Sequence, residues 1–372
     1  MTNNDENQQL LIKIEALENQ AKPRPPRDAI KYKNKIVEIR KPKKTPDLSS
    51  KTVLTDSTWQ YVEIYLRSKD QSDALFYWEQ ARNFYEATKS LSLISKPLTA
   101  YYCFLNATKA LLEVKNIGYD LAHGVSGKSE DGRVNIINES VRFQPAGVVS
   151  ALGVYLGEIV PAGGEKHNLK DIFYNIPYIH RAFNLTYSNM AELFIPIISP
   201  RFVHDKARGK AWFEITLEPE HSNKRTLTRL TGYSLDKRYD NSLSYTLRRN
   251  KNFSWIAPRN TPSKESLNNL KAYHEKIRNE LRYIYSPNEL WYIKRKDLKN
   301  HIIHKSTLTL TIGAMHRLSE LSRYNPQTLS KHLTKDASWL ISEFINKSTY
   351  QFIDHISSEI TGNNFRVTGF RA

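Results

Sequence analysis

The chain has one cysteine in 372 residues, Cys103. A single thiol excludes an internal disulfide and a cluster of thiolate metal ligands. Cys103 sits among aromatic residues of a predicted helix, where a buried structural thiol is expected. No apolar run approaches the roughly 20 residues needed to span a bilayer. The N-terminus, MTNNDENQQ, has neither the positive region nor the apolar core of a secretory leader. The expectation is a cytoplasmic protein with no membrane contact. Acidic residues are also scarce, 38 Asp and Glu against 55 Lys and Arg, which leaves a formal charge of +17. A field of that sign attracts polyanions and speeds their encounter. The partners it implies are nucleic acid, RNA or DNA, or an acidic protein.

What is present is mostly helical patterning. Over LFYWEQARNFYEATK, the residues Ala74, Tyr77, Ala81, Phe84 and Tyr85 recur at helical spacing and predict one apolar face. Ser72 is a candidate N-cap for this helix. A second helix is predicted to begin at Pro97, whose missing N–H costs nothing in a first turn. Leu98, Tyr101, Leu105 and Leu112 form its stripe, and the two helices read as an antiparallel hairpin. From 191 to 260 the pattern becomes short strands separated by turn residues, and helices resume at SKESLNNLKAYHEK, capped by Ser263. Pro326 breaks one later helix and Gly362 ends the last.

The fold class expected is therefore α+β, a predominantly helical bundle with an inserted antiparallel β-rich segment. Its parts are residues 1–50, a helix and a basic, Pro-containing arm; 51–190, a helical region with a Gly-rich, irregular connection; 191–260, a basic β-rich insertion; and 261–372, a helical region packing on 51–190. The arm is a candidate for docking onto an assembly partner or for homo-oligomerisation.

The runs WEQARNFYEA, KPLTAYYCFLNATKALL and GYDLAHGV resemble the YaaC-like family of bacterial proteins. So does MHRLSELSRYNPQTLSKHLTKDASWLISEFI at 315–345. The resemblance implies a mostly helical, cytoplasmic protein and carries no agreed reaction, so it transfers no catalytic residue.

Several constellations suggest chemistry. Residues 122–129, AHGVSGKS, meet a relaxed phosphate-loop pattern but lack the flanking strand and helix it needs. Arg295 and His301 have the spacing of the Arg–His pair in HEPN-type ribonucleases, and DLKNHIIHKST reads as helix-compatible. There a histidine base would remove a 2′-OH proton and an arginine would steady the phosphoryl transition state, without metal. His301, His304 and Asp297 fall short of a convergent ligand set, so neither a metal nor another cofactor is expected. Between 201 and 260, thirteen Lys and Arg stand against six Asp and Glu. In that stretch Arg238, Arg248, Arg249 and Lys251 are candidates for phosphate contact, and Tyr245 and Trp255 for base stacking. Glu79, Arg82, Asn106, Lys109 and His123 are polar positions of the family-like block that would form a cleft if they converge. Three functions compete on this evidence: a nucleic-acid-binding or acidic-partner-binding protein that does no chemistry, a HEPN-like metal-independent ribonuclease, and a component of a larger assembly.

Overall fold

A computed structural model describes residues 27–236, 243–288 and 290–367, with Leu10 and Ile14. The fold is α+β, and it divides into two units. One comprises Arg40–Ile195, Arg278–Lys294 and Leu298–Ala372, and the other Met1–Ile39, Pro196–Ile277 and Arg295–Asp297.

The first unit is built around the helix Lys96–Val114, with Pro97 in its first turn. Its sequence is apolar nearly all round, so it buries Ala100, Tyr101, Cys103, Phe104, Ala107, Ala110, Leu111 and Leu112. The helix Ser72–Lys89 packs against it. Trp78, fully buried, centres the face of that helix, while Tyr77, Phe84 and Tyr85 are only partly covered. Ser72 is the first helical residue rather than its cap, and Gln71 before it makes no capping bond. Two further helices, Thr307–Tyr324 and Ser338–Thr361, complete the core. Phe104 stacks on Phe352 at 4.2 Å. Ser306 caps the first by accepting from Thr309 N at 3.1 Å, and Gly362 closes the second in a left-handed conformation, φ +80°.

The connection read as irregular contains a three-stranded antiparallel sheet, Val125–Ser129, Glu139–Phe143 and Glu165–Asn168. Its strands are too short and too polar for alternation to declare them. The phosphate-loop pattern falls on the first strand, which pairs Gly127 with Val141. Gly127 is required by close approach, since a Cβ there would lie 2.0 Å from Glu320 Oε2. Residues 297–306 are not helical. His301 takes a positive φ of 62°, and the helix begins only at Thr307.

The second unit holds antiparallel strands in the order Tyr233–Leu235, Thr246–Arg249, Lys210–Leu217 and Phe194–Asp205. Asp28–Ala29 of the basic arm pairs with Val203 and His204. Lys31–Tyr32 and Lys35–Ile36 form a tight hairpin around Lys33 and Asn34, both at positive φ. Tyr273, on the helix Lys264–Glu280, packs on Phe253 at 4.6 Å. Ser263 Oγ accepts from Ser266 N at 3.1 Å and so caps this helix.

Candidate functional site

The sequence candidates scatter. Arg295 is buried and gives two bonds to Asp297, at 2.9 and 2.5 Å, which hold that carboxyl below its ordinary value. His301 Nδ1 donates to Asp171 at 2.8 Å. Each half of the predicted catalytic pair is thus committed to a carboxylate of its own. In the strand-rich unit, Arg248 lies over the Trp212 ring at 4.0 Å and Arg249, 7% exposed, over Tyr273 at 5.1 Å. Trp255 is 2% exposed, so its ring is covered by its own unit and offers no stacking face. Tyr245 is half-buried and Lys251 exposed, and Arg238 lies outside the described residues.

The five polar positions of the family-like block separate into two groups. Glu79 pairs with Arg67 at 2.9 Å and Arg82 with Glu63 at 3.4 Å, forming an exposed network on neighbouring helices. Asn106 donates back to Tyr102 O at 2.8 Å. Lys109 and His123 belong instead to a cluster completed by Tyr101, His316 and Glu320. The Tyr101 ring lies 4.9 Å from His316 and 5.4 Å from His123, and the two imidazoles are 5.8 Å apart, nearly perpendicular. Lys109 acts electrostatically on His123 and stands 5.2 Å from the Tyr77 ring.

Local structure fixes each member. His123 precedes Gly124, whose positive φ of 76° turns the chain, and its carbonyl accepts from Val149 N at 3.1 Å. His316 and Glu320 lie one turn apart on the same helix. Glu320 is gripped by Arg317 Nη1 at 2.9 Å and by Gly127 N at 3.3 Å. The other edge of Arg317 donates to Glu139 Oε2, at 3.0 and 2.7 Å, and His332 Nε2 donates to Glu139 Oε1 at 2.9 Å. Burial works to raise the Glu139 carboxyl, but the His332 and Arg317 bonds prevail and hold it low.

Two buried atoms of this cluster have no hydrogen-bond partner: the Tyr101 hydroxyl, on a residue 2% exposed, and His316 Nδ1, on a residue 6% exposed. Burial pushes His316 down to about 4 and lowers His123 as well, with Lys109 adding to the second shift. Burial raises the Tyr101 phenol. Sequence reading reached Lys109 and His123 but missed Tyr101 and His316. Tyr101 looked like one more apolar stripe residue, although His316 and Glu320 in MHRLSEL already carried an i, i+4 signal.

A second feature of the same unit is a cavity of about 240 Å³. Its lining includes five cationic side chains, Lys41, Lys43, Arg278, Arg282 and Lys305, against two carboxylates, Glu158 and Glu359. Some of this charge is locally answered. Lys41 pairs with Asp354 at 2.9 Å, and Lys305 with Glu165 at 2.9 Å. Arg278 spends its guanidinium on the Lys41 and Leu281 carbonyls. Arg282 donates only through Nη1, to the Asn279 and Leu281 carbonyls at 3.0 Å, which leaves Nε and Nη2 without a partner among the described residues. Burial lowers Arg278 and Arg282 to about 10 and Lys43 to about 8, with Lys44 reinforcing the last. By contrast, a larger cavity of about 780 Å³, walled by Trp59, Tyr85, Tyr178, Tyr285 and Tyr350, has all its cations paired, Arg82 with Glu63, Lys89 with Glu86 and Lys347 with Glu343, and its Asp354 with Lys41.

No curated protein and no solved structure matches this chain. A family model, that of the YaaC-like protein, matches residues 43–360. That span holds all of the histidine cluster and, except for Lys41, every cation of the basic cavity. No helix of the described residues is long and apolar enough to cross a membrane. With most of its length under that match, the chain belongs to the YaaC-like protein family.

Proposed function

We propose that this protein binds an anionic ligand, and that the basic cavity receives its phosphate-class group. The observation that carries this reading is the unclaimed edge of Arg282, in a cavity where five cations face two carboxylates. Arg282 is only partly buried, so its unclaimed nitrogens stay open to a ligand, and a bound oxyanion would meet them through charge-assisted bonds. The planar guanidinium fork suits two oxygens of one phosphate. About 240 Å³ holds roughly eight waters, a size that suits one oxyanion group rather than a strand of nucleic acid. Ser306, Thr307 and Leu308 also line the cavity at the amino end of an 18-residue helix, where Glu158 Oε1 already accepts from Ser306 N at 2.7 Å.

Neither the ribonuclease reading through Arg295 and His301 nor the assembly reading through residues 1–50 has an observation of this kind behind it. The first pair is spent on Asp297 and Asp171, and much of the arm lies outside the described residues. The test is calorimetric titration with inorganic phosphate, pyrophosphate and a nucleoside monophosphate at two salt concentrations. Saturable, salt-weakened binding that drops at least tenfold in Arg282→Gln is the expected result. Wild-type protein that binds none of the three, or a variant that binds equally well, overturns the reading.

A further inference from the structure

The cavity of about 780 Å³ lies wholly within the helical unit and shares no residue with the lining of the basic cavity. Its volume falls in the range of small-molecule pockets, about 300–1,000 Å³. Trp59, Tyr85, Tyr178, Tyr285 and Tyr350 reach it from five separate places in the chain. Three of them are held in place by the protein itself. Trp59 lies 4.5 Å from the ring of Trp78, whose indole N–H donates to the Trp59 carbonyl at 3.0 Å. The Gln351 side chain bonds both the backbone N–H and the carbonyl of Tyr285, at 2.9 and 2.7 Å. The Tyr178 hydroxyl shares a hydrogen bond of 3.0 Å with Thr311 Oγ1. Walls fixed in this way lose little freedom when a ligand arrives.

Charge narrows the occupant. Three cations and three carboxylates line the cavity, and all the cations are paired, so no excess charge draws an ion. A cationic ligand is disfavoured further, because two of the rings already carry a cation. Lys89 stands 4.5 Å from the Tyr85 centroid and Lys41 5.4 Å from that of Tyr285.

Polarity narrows it again. Trp59 Nε1, Thr349 Oγ1 and the Tyr285 hydroxyl, all on lining residues, make no hydrogen bond to another described residue. Trp59 is 8% exposed and Thr349 5%. An aliphatic chain seated here would cover these groups and leave them unmet, which is unfavourable. The occupant that answers all three conditions has no charge, has flat faces for the rings, and has donors and acceptors at its edge.

We propose that this cavity binds an uncharged, planar heteroaromatic ligand, stacked on its aromatic walls and hydrogen-bonded at the edge by Trp59, Thr349 and Tyr285. Tyr350, 56% exposed, is the most open of the five rings and the one the fold needs least.

The experiment is calorimetric titration of the full chain with three uncharged flat probes, adenosine, guanosine and riboflavin. Choline and decanoate are titrated alongside as a cation and an aliphatic chain. At least one flat probe should bind saturably and more tightly than either of those two. Tyr350→Ala should weaken that binding at least tenfold, and Thr349→Val, which keeps the shape and removes the hydroxyl, at least threefold. Thermal melts of both variants show that they fold. Arg282→Gln, altered in the basic cavity, should bind the same probe as wild type does. The proposal is overturned if none of the three flat probes binds, if choline or decanoate binds more tightly, if Tyr350→Ala binds like wild type, or if Arg282→Gln loses as much as Tyr350→Ala.

Discussion

The two units use positive charge in opposite ways. In the strand-rich unit the buried Glu214 takes Arg201 at 2.8 Å and Arg27 as well, while Arg248 and Arg249 lie on the rings of Trp212 and Tyr273. The basic stretch 201–260 therefore spends Arg201, Arg248 and Arg249 on its own packing. In the helical unit the cations around the basic cavity outnumber its carboxylates, and Arg282 keeps two nitrogens unspent. Net charge along a sequence does not locate a ligand. Charge left unanswered after folding does, because the ligand then supplies what the protein withheld.

The largest effect should come from unbalancing the helical unit further. Asp354→Ala strands Lys41, 2% exposed at its side chain, and should lower stability by about 3–5 kcal/mol in chemical denaturation. A loss below 1 kcal/mol would mean that Lys41 is answered from elsewhere.

Next comes a paired test of the comparison itself. Arg282→Gln removes an unspent fork and should weaken phosphate binding at least tenfold, or about 1.4 kcal/mol. Arg248→Gln removes a spent one and should change it less than twofold. Similar losses in both would erase the distinction between the units.

A pH test follows from Lys43, which burial lowers to about 8. Its charge is present below pH 8 and lost above it, so phosphate affinity should fall about tenfold between pH 7 and pH 9. The stability of the free protein should move the other way. The unfolded chain holds this proton up to the ordinary 10.5, so unfolding free energy rises with pH between 8 and 10.5. Flat affinity across that range would remove Lys43 from the site. The smallest effect is local to the strand-rich unit. Arg248→Ala should cost about 0.5–1 kcal/mol of stability through the lost contact with Trp212.

Much of the fold was legible. The helix Lys96–Val114 shows Pro97 at its start and an apolar run throughout, and Gly362 marks a helix end by the conformation it alone adopts cheaply. The three-stranded sheet was not legible, since Gly127, Lys128 and Ser129 are poor strand formers held by their neighbours' register. The site was half visible. Lys109 and His123 stood out as polar residues in an apolar block, while Tyr101 hid among stripe residues and Arg282 among surface arginines. Trp255 and Arg249 misled in the other direction, because a composition suited to stacking says nothing about which face is covered.

The sequence alone pointed to the α+β class and the family and fixed the sign of the charge, since each depends on neighbours along the chain or on a sum over it. The tertiary structure decided the rest. It brought His123 to His316, and set Arg282 beside Lys43 and Lys305. These positions are distant in sequence, and whether a cation is answered or a hydroxyl left alone depends on through-space distances that no local pattern encodes.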